Sequence, residues 1–253
     1  MRPTMRSLTA GLGVVLSLLF GGVAAAMTVQ PVVVDLRMAG REMSAPVRVE
    51  NNGPNPLPVE IRIVETDFAP DTVRASDRRS EDLIAFPPQA IIPPGETQVF
   101  RLQFVGDPGA ERSKHYYVEV AQLPVELPEG QSAIQILYNF QVMVNVASVT
   151  AGKPDLTVEA AEVVKNAEGK AVAAFTVRNA GANYGYLSTG QLTISYRDAA
   201  GKTVRRTLTS NDIQQMIGFG LVGPGMTRRF VSPVEVAAAD GAIEDALTMP
   251  RGR

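Results

Sequence analysis

Residues 134–146 read IQILYNFQVMVNV, a stretch in which every second residue is apolar. The apolar positions are Ile134, Ile136, Tyr138, Phe140, Val142, Val144 and Val146, and the positions between them are mostly polar. Strict alternation is typical of a β-strand with one buried face. Thirteen residues in a strand would span about 40 Å, roughly twice the length of an ordinary strand. The pattern predicts an unusually long strand and leaves open what covers the far end of its apolar face.

The N-terminus has the layout of a secretory signal peptide. Arg2 and Arg6 are followed by an apolar run from about Leu12 to Phe20, and small residues end the segment at Ala26. The apolar run is too short to span a membrane. We expect cleavage after Ala26, which defines residues 1–26 as the signal peptide and leaves a mature chain without membrane insertion.

The composition of the mature chain excludes several classes of protein. Loss of Arg2 and Arg6 leaves 22 basic against 26 acidic side chains, a net charge of −4, which argues against a nucleic-acid-binding protein. The chain has no cysteine and one histidine, so thiolate chemistry and multi-histidine metal sites are excluded. We expect no metal and no cofactor, and stability that depends on hydrophobic cores.

Short alternating runs between Pro, Gly and Asn clusters indicate antiparallel sandwiches. Runs of this kind occupy residues 29–38, 45–53, 57–68, 97–107, 115–124 and 134–146, and again residues 155–164, 171–181, 191–201, 202–209 and 226–236. The segment SVTAGKPD, residues 148–155, separates the two sets with Gly and Pro. The sequence predicts an all-β protein with domains at residues 27–150 and 154–253.

No catalytic site can be assigned. His115 starts the run HYYVEV, where we expect a structural role at the edge of a strand. Residues 218–223 match G-x-G-x-x-G, but Pro224 and an apparent strand follow instead of a helix, so we expect a loop. The mixed-charge run Arg74–Asp82 is interpreted as a surface loop, with an electrostatic docking patch as the alternative.

Two interpretations of the long strand remain open. It can face its own core along its full length, or part of its apolar face can be covered by a partner through strand addition. The side chains concerned in the second case are Ile134, Ile136, Tyr138, Phe140 and Val142. Burying five such side chains is worth roughly 1.5–3 kcal/mol each before the costs of association.

Four stretches carry a resemblance to the periplasmic chaperones of the chaperone–usher pathway, the PapD-like proteins. They are LIAFPPQAIIPPGETQVFRLQF at 83–104, HYYVEVAQLP at 115–124, the opening stretch, and FTVRNAGANYGYLS at 175–188 followed by VGPGMTRRF at 222–230. The resemblance covers nearly the whole mature chain. It implies two immunoglobulin-like domains in an L or boomerang arrangement, a periplasmic location and no enzymatic activity.

The resemblance also implies a mechanism. Such chaperones lend an alternating strand to a pilin-type subunit and release it to an outer-membrane usher. By this likeness the donor residues are Ile134, Ile136, Tyr138 and Phe140, and Val142 completes the expected subunit-binding set. Val142, together with Val144 and Val146, is also expected to turn toward the chaperone's own core and the interdomain cleft.

The chain departs from the family where basic residues usually anchor the client's C-terminal carboxylate. Val33 or Val34 stands near the expected arginine, and Gln141 and Met143 stand where a lysine is expected. Arg37 or Lys153 could supply charge nearby. This departure indicates a divergent branch or clients held without a charged clamp.

Our leading hypothesis is a periplasmic chaperone whose partners are pilin-like subunits and an outer-membrane usher. The second hypothesis is an immunoglobulin-like periplasmic scaffold that uses the long strand for self-association. A third, an exported hydrolase, would require a nucleophile beside His115.

Overall fold

The computed structural model of the protein describes residues 27–124, 136–238 and 241–248, so the predicted signal peptide and Ile134 lie outside the described residues. In these ranges the chain is nearly all β, with two hydrophobic cores, one drawn from residues 27–146 and the other from residues 156–247. No helix in these three described ranges has the length and apolar character needed to cross a membrane.

Two sheets enclose the first core. One consists, in spatial order, of β1 (Met27–Gln30), β3 (Ser44–Asn51), β8 (Thr97–Phe104) and β6 (Leu83–Phe86). The other consists of β2 (Val33–Arg37), β10 (Asn139–Ala147), β9 (Lys114–Gln122), β4 (Leu57–Phe68) and β5 (Val73–Arg79), with β7 (Gln89–Ile92) paired to β4. The chain passes from the first sheet to the second between β1 and β2, at Pro31.

The core follows from the period of two in the strands. In β8 the fully buried residues are Phe100, Leu102 and Phe104, and their neighbours point outward. In β10 the buried apolar residues are Val142, Val144 and Val146, all without exposed surface. These side chains meet in a single core cluster.

The second core is enclosed by two three-stranded sheets and a short two-stranded ladder. The first sheet contains β11 (Leu156–Lys165), β12 (Ala171–Asn179) and β17 (Thr227–Glu235), and the second contains β15 (Thr203–Leu208), β14 (Gln191–Arg197) and β18 (Glu244–Thr248). The ladder joins β13 (Gly185–Tyr186) to β16 (Leu221–Val222).

Helix α1 (Ser210–Met216) was not predicted from the sequence. Thr209 caps it: the Thr209 side chain accepts from the backbone N–H of Asp212, and the Asp212 carboxylate accepts from the Thr209 backbone N–H in return. Only Ile213 of the helix is buried. The signal for this helix was therefore the capping box, because its apolar periodicity is too short to detect.

Residues 218–220 form a loop between α1 and β16, as predicted, whereas Leu221–Val222 of the same motif are β16 itself. Gly218 and Gly220 have φ values of +89° and +66°, a region that favours glycine. In the described part of the chain the next element after Gly223, the last glycine of the motif, is a strand, at Thr227–Glu235, so the segment lacks the strand–glycine–helix geometry of a dinucleotide site.

The prediction of a surface loop at Arg74–Asp82 was wrong for most of that run. Residues 73–79 form β5, which pairs antiparallel with β4. Arg78 holds the pair together by ion pairs to Glu65 at 2.7 Å and Asp67 at 2.8 Å. Because charged side chains make the cross-strand contacts here, the sequence lacks the apolar alternation that reveals other strands.

The joint between the two cores is fixed by Asn183. Its Oδ1 accepts from the Ser148 backbone N–H at 2.8 Å, and its Nδ2 donates to the carbonyl oxygens of Ser148 and Gly152 at 3.1 and 3.0 Å. Asn183 is buried, so these bonds satisfy polar groups that water reaches poorly.

Candidate functional site

Strand β10 is covered by β2 along only part of its length. It pairs with β9 from Asn139 to Val146, whereas β2 begins opposite Met143, with Val33. The Met143 backbone N–H donates to Val32 O at 3.0 Å.

The unpaired part of β10 forms an open sheet edge. Alternate residues of a strand direct their backbone groups to the same side, so the N–H and C=O groups of Asn139 and Gln141 face the side on which β2 is missing. No described strand pairs with residues 139–142 on that side. We call these residues the open edge of β10; an edge of this kind is a template for strand addition.

The predicted subunit-binding residues divide into exposed and buried members. Ile136 is 70% exposed and Tyr138 is 38% exposed, and both precede β10 instead of lying in it. Phe140 is partly buried against the first core. The predicted strand of residues 134–146 is thus β10, Asn139–Ala147, with an extension at residues 136–138 that pairs through Gln122 N and Tyr138 O at 2.9 Å.

Val142 has to be removed from the predicted subunit-binding set. It is 0% exposed and belongs to the first core. A side chain enclosed by its own domain has no surface to offer a partner. Val144 and Val146 are likewise core residues, as expected from the sequence.

The exposed side chains of Ile136 and Tyr138 line a cavity at the end of the first domain's sandwich. Its volume is about 220 Å³. Met27, Asn51, Leu57 and Gln122 contribute to its wall. Met27 and Leu57 of this wall are buried, so the exposed apolar surface here belongs to Ile136 and Tyr138.

The residues at the expected anchor positions carry no charge. Gln141 is exposed and donates to the Glu119 carboxylate at 3.0 Å, and Val33 and Met143 line a cavity of about 590 Å³ between the two domains. We call this cavity the interdomain cavity. Arg37, which is 3.7 Å from Glu42, and Lys153 line a separate cavity.

Asp35 connects the two domains. Its carboxylate accepts from the Tyr184 hydroxyl at 2.9 Å and from the Tyr186 hydroxyl at 2.5 Å. Burial, reinforced by Asp35, raises the pKa values of both tyrosines. Asn145 of β10 joins the group through its Nδ2, 2.7 Å from the Tyr186 hydroxyl.

His115 lies at the start of β9, in this same contact between the domains. Its Nδ1 is 2.7 Å from Asn145 Oδ1, and its ring packs edge-on against Phe68 and Tyr184. Burial lowers its pKa to about 4, against smaller opposing effects of Asn145 and Asp35. His115 is therefore neutral at pH 7, with its proton on Nδ1, since an amide oxygen can only accept.

Ser113 stands beside His115 but is not an accessible nucleophile. Its Oγ is 3.4 Å from His115 Nε2 and accepts the backbone N–H of Tyr184 at 2.9 Å. Ser113 is buried, and the aromatic rings of the domain contact cover His115. The Ser113–His115 pair thus serves the contact between the domains.

Residues 27–146 match the family model described as "Pili and flagellar-assembly chaperone, PapD N-terminal domain". No curated protein sequence matches the chain.

The fold is shared with several solved chaperones. The E. coli chaperone DraB is 12% identical, with a TM-score of 0.51 over 89% of this chain and 98% of DraB. A structure of Salmonella enterica SafA pilin with the SafB chaperone matches with a TM-score of 0.51 and 13% identity, over 83% of this chain and 85% of the matched chain. The YadV chaperone is 17% identical, with a TM-score of 0.50 over 87% of this chain and 91% of YadV. At these identities the likeness establishes the fold, which has two immunoglobulin-like domains.

Proposed function

Since residues 27–146 belong to the PapD N-terminal domain family of pili and flagellar-assembly chaperones, and the whole chain has the two-domain fold of PapD-like proteins, we propose that this protein is a periplasmic chaperone for pilin-type subunits. It completes a subunit that lacks a strand by pairing the subunit with the open edge of β10. It then surrenders the subunit to an outer-membrane usher. The family and the fold are non-enzymatic.

The observation that carries this proposal is the combination of the open edge of β10 with exposed apolar side chains in the segment just before it. Asn139 and Gln141 offer unpaired backbone groups, and Ile136 and Tyr138 offer apolar side chains beside them. Strand addition satisfies the backbone groups and buries the side chains together. Each buried side chain contributes roughly 1.5–3 kcal/mol.

Co-expression with a pilin-like subunit tests the proposal. We expect Ile136→Asp and Tyr138→Asp each to reduce the yield of soluble subunit about tenfold or more, because the lost burial free energy corresponds to at least that change in affinity. Val99→Asp is the matched control: Val99 is an exposed valine in β8, on the other sheet of the same domain. Equal yields with the Ile136 variant, the Tyr138 variant and the wild type would contradict the proposal.

The scaffold hypothesis uses the same strand for a different partner. A stable homodimer that buries Ile136 and Tyr138 would make this edge unavailable to a subunit. Sedimentation of the isolated protein separates the hypotheses. We expect the wild type and the Ile136→Asp variant to sediment at the same rate. A dimer that this substitution dissociates supports the scaffold.

The periplasmic location rests on the family and on the signal-peptide pattern of residues 1–26. N-terminal sequencing of the protein from a periplasmic extract tests it. We expect the mature chain to begin at Met27.

A further inference from the structure

Gln141 stands at the open edge of β10 and is hydrogen-bonded to an acidic side chain. Its neighbours Phe140 and Val142 face the first core, so the period of two places Gln141 on the outer face of the sheet, where it is exposed. Gln141 lies directly opposite Glu119 of β9, and its Nε2 donates to the Glu119 carboxylate at 3.0 Å. The outer face of the open edge thus has a carboxylate one strand behind it.

The Glu119 carboxylate has no counter-charge. Glu119 is half-buried and lies opposite Arg62 of β4 in the strand ladder. Arg62, however, binds Glu60 instead, at 2.9 Å through Nε and 2.8 Å through Nη2. No basic side chain in the described ranges forms an ion pair with Glu119. Of the two acidic side chains on either side of Arg62, only Glu119 is left uncompensated.

The Gln141 amide can accept from a further donor. A side-chain amide has one acceptor oxygen beside its NH₂ group. Nε2 is used by Glu119, which leaves Oε1, and no donor in the part of the chain that the structure describes is bonded to this oxygen. Gln141 therefore offers an acceptor, with a negative charge next to it, at the edge where β2 is missing.

A strand added to the open edge brings one of its own side chains beside Gln141. Side chains directly opposite each other in adjacent strands lie on the same face, with Cβ atoms about 4.5–5.5 Å apart. Glu119 is one strand further away, about 10 Å from the added strand. A lysine or arginine can span this distance together with the glutamate side chain, because its charged head is carried on a long flexible stem. Its N–H donors match both the amide oxygen and the carboxylate.

This charge lies behind only one of the two outer-face positions of the open edge. Asn139 is the other, and it lies opposite Ala121, which has no polar side chain. A cation on the added strand is therefore compensated beside Gln141 and not beside Asn139. An acidic side chain beside Gln141 would instead meet Glu119 as a like charge, which is unfavourable across strands.

We propose that Gln141 and Glu119 select a basic side chain, lysine or arginine, on the outer face of the strand that pairs with the open edge of β10. Ile136 and Tyr138 offer apolar contact to any alternating strand, whereas this pair distinguishes such strands by the charge at one outward position. The inference rests on the proposed function and names the chemistry of the partner strand, but its test uses a different measurement.

The probes are three synthetic peptides of alternating threonine and valine, acetylated and amidated so that neither terminus is charged. One has threonine at its central position, one has lysine there, and one has glutamate. Calorimetry at low salt measures the binding of each to the full mature protein. We expect the lysine peptide to bind at least about threefold more tightly than the glutamate peptide, with the threonine peptide between them, because opposite charges on facing strands attract and like charges repel.

Three variants locate the source of this preference. Glu119→Gln should abolish it, since glutamine keeps the size and the hydrogen bonding but removes the charge. Glu119→Lys should reverse it in favour of the glutamate peptide. Glu50→Gln is the matched control, because Glu50 is an exposed glutamate in β3 of the other sheet. It changes the net charge by the same amount and should keep the preference in full.

The outcomes decide the proposal separately from the chaperone function. Equal binding of the lysine and glutamate peptides to the wild type overturns the proposal, and so does a wild type that binds none of the three. A preference that survives Glu119→Gln, or that Glu50→Gln removes, overturns it as well, because the net charge of the protein would then be the cause. The subunit yields with Ile136→Asp test the proposed function alone. A loss of yield there, together with equal binding of the charged peptides, would leave the chaperone function standing and refute the charge selection.

Discussion

The Tyr184 hydroxyl of the second domain donates a hydrogen bond to the Asp35 carboxylate of the first, over 2.9 Å. Asp35 lies in β2, directly beside Asn145 of β10 in the strand ladder. The carboxylate that holds the second domain is therefore next to the strand that we propose binds subunits. Loosening this contact should alter the interdomain cavity.

We expect the double variant Tyr184→Phe, Tyr186→Phe to uncouple the two domains. It removes both hydroxyl donors to Asp35 and keeps the aromatic packing. Hydrogen bonds to a charged group contribute about 1.5–3 kcal/mol each. Calorimetry should show the melting of the double variant separating into two transitions. Tyr196→Phe is the control, because Tyr196 packs in the second core; a single unshifted transition in the double variant would contradict the role of Asp35.

Asn183→Ala should destabilise the joint between the domains. The substitution leaves the Ser148 N–H and the carbonyl oxygens of Ser148 and Gly152 without their partner. Unsatisfied buried groups cost about 1–3 kcal/mol each. We expect a loss of at least about 2 kcal/mol in the free energy of unfolding, measured by urea denaturation. Asn166→Ala is the control, because Asn166 lies in an exposed turn of the second domain. Its free energy of unfolding should fall by clearly less.

His115 should make stability depend on pH in a defined window. Its folded pKa is about 4, and the unfolded pKa is about 6.5. Between these values the unfolded chain binds more protons, so stability falls as the pH drops from about 6.5 toward 4. The difference between these two pKa values corresponds to a change of at most about 3 kcal/mol in the free energy of unfolding.

Urea denaturation at pH 7 and pH 5 checks this prediction. Carboxylates titrate mostly below this range, so the difference between wild type and His115→Gln isolates the histidine. We expect the wild type to lose more stability than the variant on acidification. An equal loss in both proteins would show that His115 is not responsible.

The sequence predicted the parts of the fold in which one face of a strand meets a core. The apolar alternation of TQVFRLQF gave β8, and the buried half of IQILYNFQVMVNV gave β10. The length of the latter strand was overestimated, because alternation continues through Ile136 and Tyr138 although no core faces them. Alternation reports that one face is apolar and does not report what covers it.

Arg228 of β17 is a buried arginine in the wall of the interdomain cavity, and its inward position could have been predicted from its place in the strand. It shares the parity of Phe230, Ser232 and Val234 in β17, all buried residues, so the period of two already places it inward. An arginine in an inward position needs a partner. What the sequence could not show is which groups surround the guanidinium: the Leu221 carbonyl, which accepts from Nη1, and the Phe230 ring, whose centroid is 4.9 Å away.

The strongest test of the proposed function is amide hydrogen exchange at single residues of β10, with and without a bound pilin-like subunit. Asn139 and Gln141 have N–H groups on the open edge, whereas the Met143 N–H is already bonded to Val32 O. We expect Asn139 and Gln141 to exchange rapidly in the free protein and slowly in the complex, with Met143 slow in both. Rapid exchange of Asn139 and Gln141 in a stable complex would show that the subunit does not pair with β10.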